Sequence, residues 1–395
     1  DDAPAAAPVL SDAAHSALHN SLSSAASSAV LNPAHSARHN SLTNPAPNTA
    51  RVEKILLATP RGFCAGVEMA IKALAILVHA FEPPIYCYHE IVHNKLIVQR
   101  FENLGVKFVN DISEVPQGAP LMLSAHGSAP EVVAQAHATG GYVVDSVCPL
   151  VTKVHHEVKV RAKKGYQIVY IGHSGHEEAA GTIAVAPENI HLVEAVQDVD
   201  DLPEFEEPVA LLAQTTLSQR DWADIAATAQ AKYADMWTPG RSDLCFATTN
   251  RQAALEAFAP RCDSFVIVGS ANSSNTRALE KLAKQLGCQQ VFRINTAEEL
   301  PEGLHGTVGV TAGASAPDEL VQEVVALLDP VDGTEEISAI TEDEYFPPPR
   351  QLRDLISAVA NCASASLGGK LTDGVSADRQ VDASAVLAAM SPRKV

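Results

Sequence analysis

The sequence predicts an α/β protein made of three small α/β units with mainly parallel sheets. Between Val52 and about Pro330, short apolar runs alternate with amphipathic helical stretches, and nearly every run ends in a polar motif. Three cysteines, Cys64, Cys148 and Cys245, each open a helix at two similar intervals, each long enough for one such unit. With 395 residues, 46% of them hydrophobic, the chain has material for a substantial core. A net charge of -19 repels phosphate backbones, so no nucleic-acid partner is expected. No apolar stretch approaches the roughly 20 residues of a membrane helix, so no membrane span is expected either. Seven cysteines without paired short spacings, and no signal-peptide pattern, fit a reducing cytoplasm better than a secreted disulfide framework.

Residues 1–51 read as a low-complexity arm, in which AHSALHNSL (Ala14 to Leu22) returns as AHSARHNSL (Ala34 to Leu42). Its His15, His19, His35 and His39 fall in i, i+4 pairs, yet a flexible polar extension is the simpler reading. The first unit, 52–148, starts with a strand from Lys54 to Ala58 that turns into Cys64 and a helix; this strand is free to join the third unit. Ile85 to Tyr88 leads to HEIVHN and His93, Leu121 to Ser124 to SAHGS and His126, and Tyr142 to Val144 to Cys148. Pro149 then suits a first helical turn. In the second unit, 149–244, Gln167 to Ile171 runs into GHSGHEE with His176 and Glu178, and Val209 to Ala213 into QTTLS with Thr215. In the third, 245–330, Cys245 precedes a helix with a capping-box pattern at Thr249 and Gln252. There Ser264 to Val268 leads to SANSSN with Ser273, Ser274 and Asn275, and Val308 to Val310 to TAGASAPDEL with Ser315. Residues 331–395 form an acidic, Pro-containing tail: Asp332 to Glu344 holds six acids and no base, and the stretch reads as mobile or loosely docked.

A helix N-terminus carries partial positive charge, which stabilises thiolates and the anionic sulfur of a cluster. Cys64, Cys148 and Cys245 therefore read together as ligands of one iron–sulfur centre, although spacing alone leaves a three-cysteine zinc site open. Cys87, Cys262 and Cys288 lie inside or before apolar runs and read as packing residues, and Cys362 belongs to the tail. In open α/β sheets ligands gather beyond the carboxyl ends of strands, where this chain concentrates His, Ser, Thr and Asn. Two of these motifs, at Asn275 and at Ser315, read as helix starts, and such sites bind phosphate; the pair suggests an anion with two phosphate groups. Glu178, beside His176 in a turn beyond a strand, is the candidate proton carrier, and Glu177 is expected to point elsewhere.

In order along the chain, PRGFCAGV, HEIVHN, SAHG, CPLVTKVH, GHSGHEE, QTTLS, CFATTNRQ, GSANSSN and TAGASAPD resemble the 4-hydroxy-3-methylbut-2-enyl diphosphate reductases, the last enzymes of the methylerythritol phosphate route to isoprenoids. The match runs from about Ile55 to Ala326. The resemblance implies three α/β units in pseudo-threefold arrangement around a central [4Fe–4S] cluster on Cys64, Cys148 and Cys245. It implies an allylic diphosphate substrate bound by His93, His126, Ser273, Ser274, Asn275 and Ser315, and a proton relay of Glu178 helped by Thr215 and His176. It also implies isopentenyl and dimethylallyl diphosphate as products and a ferredoxin or flavodoxin type electron donor. Two other classes compete on the residues alone. One is a zinc hydrolase of a phosphorylated substrate, which no H-E-x-x-H pattern supports; the other is a non-enzymatic iron–sulfur sensor, which has no need of a diphosphate pocket.

Overall fold

Three parallel sheets order the chain, and each runs its strands toward the same kind of polar loop. The computed structural model describes residues 51–367 and 378–390; the arm before them, with its histidine pairs, lies outside the described residues. One sheet has the order β10-β9-β11-β1-β12, with β1 Val52–Thr59, β9 Ser264–Val268, β10 Gln290–Ile294, β11 Gly306–Ala312 and β12 Thr334–Ser338. The first strand thus lies in the sheet of the last unit, between β11 and β12. A second sheet runs β3-β2-β4-β5, with β2 Ile85–Tyr88, β3 Val106–Val109, β4 Leu121–Leu123 and β5 Val143–Asp145. The third runs β7-β6-β8, with β6 Gln167–Ile171, β7 Ile190–Val193 and β8 Val209–Ala213. Every pairing in these sheets is parallel. Strands such as β8 (VALLA) and β9 (SFVIV) are buried along their whole length, as sheets covered on both faces require.

Parallel neighbours need crossovers, and the helices supply most of them. They are α1 Ala65–Ala80, α2 Lys95–Asn103, α3 Pro130–Ala138, α4 Pro149–Lys163, α5 Glu177–Ile183 and α6 Val196–Asp201. After these come α7 Gln219–Lys232, α8 Phe246–Glu256, α9 Ser274–Gln285, α10 Asp318–Leu328, α11 Arg350–Leu367 and α12 Ala383–Ala389. The apolar face of α1 (Ile71, Leu74, Leu77, Val78) is buried against β2 and α2, in a core that includes Cys87.

The described part of the tail is packed, contrary to the expectation of a loose segment. Leu352 on α11 and Leu387 on α12 are buried in the same core as α1, and fully burying such a side chain is worth about 1.5–3 kcal/mol. Lys72 of α1, itself buried, reaches Asp378 at 2.9 Å. The acidic stretch contributes β12, and its Glu342 receives the buried Arg251 guanidinium at 3.1 Å. Acids without nearby bases in sequence have found cations elsewhere in the fold.

Candidate active site

Each of the three cysteines N-caps a helix: Cys64 on α1, Cys148 on α4 and Cys245 on α8. Each is held by one repeated device. The Cys64 amide donates to the Ala314 carbonyl at 3.1 Å, that of Cys148 to Ala125 at 3.0 Å, and that of Cys245 to Thr215 at 2.9 Å. Ala314, Ala125 and Thr215 all stand two residues past the end of a strand, β11, β4 and β8 respectively. Cys64 and Cys148 follow the neighbouring strands β1 and β5. Cys245 follows instead a single parallel bridge between Trp237 and Ala210 of β8, so its strand-to-helix setting is reduced to one rung. The pseudo-threefold relation is therefore visible in backbone hydrogen bonds.

All three thiols are free and line one cavity. Burial pushes each thiol pKa up, that of Cys245 to about 12, and charge on neighbouring cysteines adds to the rise at Cys148 and Cys245. Three thiolates so close and so dry persist only with a positive partner. Backbone amides of the first turns, from Gly66, Val67, Leu150, Val151 and Thr248, pull the other way and favour the thiolates. A Cβ at Gly66 would stand 3.0 Å from the Cys148 sulfur, so a side chain there would crowd the thiols. Sulfur donors at three helix ends, mutually close and with no disulfide, fit a metal–sulfur centre with three protein ligands.

Every other candidate residue lines the same cavity: His93, His126, His176, Glu178, Thr215, Ser273, Ser274, Asn275 and Ser315. The His93 and His126 rings stack with centroids 4.0 Å apart, and His176 stands edge-on to His93 at 5.3 Å. The His176 Nδ1 accepts the Glu178 amide at 3.2 Å, so its proton sits on Nε2, which is buried with no partner. Burial, reinforced by the neighbouring histidines, lowers the His176 pKa to about 3, and His93 is lowered by the same causes. Both are neutral N–H donors before an anion arrives, and no cationic surface is needed. Ser273 caps α9 by accepting the Thr276 amide at 3.3 Å, while Asn275 accepts the Ala314 amide at 2.9 Å. Ser315 donates to the His93 carbonyl at 3.0 Å and lies ahead of α10, which begins at Asp318. Of the two motifs read as phosphate-binding helix starts, only that at Ser273–Asn275 opens its helix directly on the cavity.

Glu178 is 2% exposed and accepts from the Thr215 amide at 2.7 Å and its hydroxyl at 3.0 Å. Burial raises its pKa to about 7 against the lowering effect of those two hydrogen bonds. Glu177 does not point elsewhere. Its carboxylate lies 2.9 Å from His126 Nδ1, although off the hydrogen-bond line, and 3.8 Å from His89. Burial alone would raise its pKa, but His126, His93 and His89 together bring it down to about 2. Glu90, 3.6 Å from His93 and receiving Asn272 at 2.7 Å, is a further acid at this wall. His93, His126 and Glu177 each offer a ligand atom within 4.8 Å of the others. Sequence reasoning missed Glu177 because an adjacent-residue rule fails at the first turn of a helix: both acids sit in the opening turn of α5, where side chains fan outward around the end. At α8 the Thr249 and Gln252 capping box is replaced by the Cys245 sulfur, which accepts the Thr248 amide at 3.2 Å.

Three α/β units converging on one cavity, lined by free thiols together with imidazole, hydroxyl and amide groups, define an enzyme for a small anionic molecule. Residues 55–329 match the family model described as LytB protein, and the chain belongs to that family. It is 42% identical over 316 residues to the 4-hydroxy-3-methylbut-2-enyl diphosphate reductase of Corynebacterium glutamicum, covering 78% of this chain and 97% of that protein. With the enzyme of the same name from Rhodopirellula baltica it shares 43% identity over 76% of this chain and 96% of that one. Among solved structures, the E-1-hydroxy-2-methyl-but-2-enyl-4-diphosphate reductase from Plasmodium falciparum is similar with a TM-score of 0.76 at 34% identity, covering 78% of this chain and 99% of that one. Among the described residues no helix is long and apolar enough to cross a membrane.

Proposed function

We infer that the chain reductively removes the allylic hydroxyl of 4-hydroxy-3-methylbut-2-enyl diphosphate, yielding isopentenyl diphosphate and dimethylallyl diphosphate. The observation that carries this is the cavity that three helix-capping thiols share with hydroxyl, amide and imidazole groups. In the net reaction the C–O bond breaks and a C–H bond forms; two electrons and two protons are consumed and one water leaves. The cofactor in this reading is a [4Fe–4S] cluster on Cys64, Cys148 and Cys245, supported by the free thiols and the space beside Gly66. Bound there, it supplies electrons and, at the iron without a cysteine, Lewis acidity toward a hydroxyl oxygen.

The protein's own residues do the rest. His93, His126, Ser273, Ser274, Asn275 and Ser315 hold the diphosphate, the α9 N-terminus adding its partial positive charge. Anchored at that end, a small substrate can turn only its hydroxyl toward the thiols. His176 offers its Nε2 proton to the bound molecule. Glu178, with a pKa near 7, holds a proton on a carboxyl oxygen in hydrogen-bond reach of the Thr215 hydroxyl, and the pair passes it to the departing oxygen. Electrons come from a ferredoxin or flavodoxin type donor. Seven unpaired cysteines support a reducing compartment such as the cytoplasm.

Anaerobic consumption of the diphosphate with a chemical reductant tests the assignment, together with iron and sulfide analysis. Alanine at Cys64, Cys148 or Cys245 should abolish iron binding, whereas alanine at Cys87 or Cys262 should leave it intact. A protein that carries zinc without iron, or iron lost equally from all five variants, overturns it.

A further inference from the structure

The charge of this chain is strongly negative, yet the helix that leaves Cys148 is basic. From Pro149 to Lys164 the segment carries Lys153, Lys159, Arg161, Lys163 and Lys164 against Glu157 alone. Glu157 is used up by Arg161, 3.2 Å away. Lys153, 3.3 Å from Asp243, and His156, Lys159, Lys163 and Lys164 are exposed. Among the described residues no carboxylate lies within ion-pair distance of Lys159, Lys163 or Lys164. Several cations on other faces are matched: Lys281 pairs with Asp221 at 2.6 Å, Lys284 with Glu280 at 2.7 Å and Lys54 with Glu335 at 2.5 Å. Exposed cations without an ion pair also occur elsewhere, as at Lys95, Lys107 and Arg277, but only the end of α4 gathers three lysines within six residues.

A groove runs beside this helix, with Pro130, Val133, Val147 and Val185 as its apolar lining and His155 and Lys159 on its α4 side. Val147 precedes Cys148, and Val151 one turn later lines the thiol cavity. The groove and the cavity are thus separated by the first turn of α4 alone. A redox partner on this groove would lie beside the first turn of α4 at one end and meet Lys159, Lys163 and Lys164 at the other, roughly 16–24 Å along the helix axis from Cys148.

We propose that the cluster of Lys159, Lys163 and Lys164 at the C-terminal end of α4, with the adjoining groove, forms the docking surface for a small acidic one-electron carrier protein. The proposal rests on the reductase reading, which requires two electrons per turnover delivered from outside. An acidic carrier is repelled by the rest of this molecule, so a local patch of unpaired cations both attracts it and fixes its orientation. Association through this face loosens as salt screens it.

The test uses the holoenzyme with three donors: a plant-type [2Fe–2S] ferredoxin, a flavodoxin and reduced methyl viologen. In the Lys159→Glu/Lys163→Glu/Lys164→Glu variant, KM for at least one protein donor should rise tenfold or more, with methyl viologen turnover within twofold of the parent. The milder triple Lys→Ala variant should show a smaller rise in the same direction, and Lys281→Glu/Lys284→Glu none. For the parent, KM for the protein donor should climb with ionic strength. An unchanged KM in both α4 variants overturns the surface. Turnover with methyl viologen but with neither protein donor overturns the surface and its partner class, and leaves the reductase assignment standing. No turnover with any donor overturns both.

Discussion

Glu177 and Glu178 are neighbours in the opening turn of α5 with opposite charge states, held near 2 and near 7. The difference is environmental: histidines face one, while the other is fully buried against the neutral donors of Thr215. Pairs of titratable groups driven apart in this way mark separate roles, an anion that orients the imidazoles beside it and an acid that delivers a proton. Glu178→Gln should keep iron and bind the diphosphate but lose about 10²-fold or more in kcat, measured anaerobically. Because the active form is protonated, kcat of the parent should fall as pH rises through about 7, and this limb should vanish in the variant's residual rate. The raised pKa has a stability counterpart: its contribution is full below the ordinary carboxyl range and is lost as pH rises through about 7. The Gln variant, uncharged throughout, should lose less stability than the parent between pH 5 and 8 in denaturant titrations. For Glu177→Gln the expected signature is a several-fold rise in KM with little change in kcat at saturation.

Helix starts and strand ends were legible in the sequence because their signals are local. A cysteine after an apolar run, a proline at a first helical turn and a polar cluster past a strand each sit within a few residues of one another. The strands that escaped notice are β3, β7, β10 and β12, all at sheet edges. These four are covered less completely than edge strand β8, so they lose its continuous apolar run: QVFRI of β10 and TEEIS of β12 bury little of their length. The same cause hid the role of the acidic stretch, whose Glu342 bonds both Arg251 at 3.1 Å and Asn250 at 2.9 Å. Arg251 is completely buried and its guanidinium also donates to the carbonyls of Gly62 and Phe63, just ahead of Cys64. Glu342→Ala would strand that charge, a loss of about 3–5 kcal/mol. Chemical denaturation should detect it, and a change below about 1 kcal/mol would remove Glu342 from the fold's internal ties.

At the scale of the molecule, the described residues fall within one compact unit whose three sheets aim their carboxyl ends at a shared centre. The thiols are the groups on which all three sheets meet. A cofactor bound by all three cross-links segments far apart in sequence, and binding that requires the folded state adds its free energy to folding. Anaerobic loading with iron and sulfide should therefore raise Tm by several degrees, and Cys148→Ala should abolish the rise. An equal rise in that variant would mean that the metal binds elsewhere.

What the sequence determined by itself was the set of chemical groups and their local setting: three helix-opening cysteines, the strand-end polar motifs and the alternation that specifies parallel α/β units. Each depends on neighbours a few positions away. Tertiary structure alone decided that β1 sits between β11 and β12, that the described part of the tail packs on α1, that Glu177 turns to the histidines, and that the lysines ending α4 stay without carboxylate partners among the described residues. Those outcomes depend on which distant group supplies a hydrogen bond, an apolar surface or a counter-charge, and that partner is chosen only when the chain closes on itself.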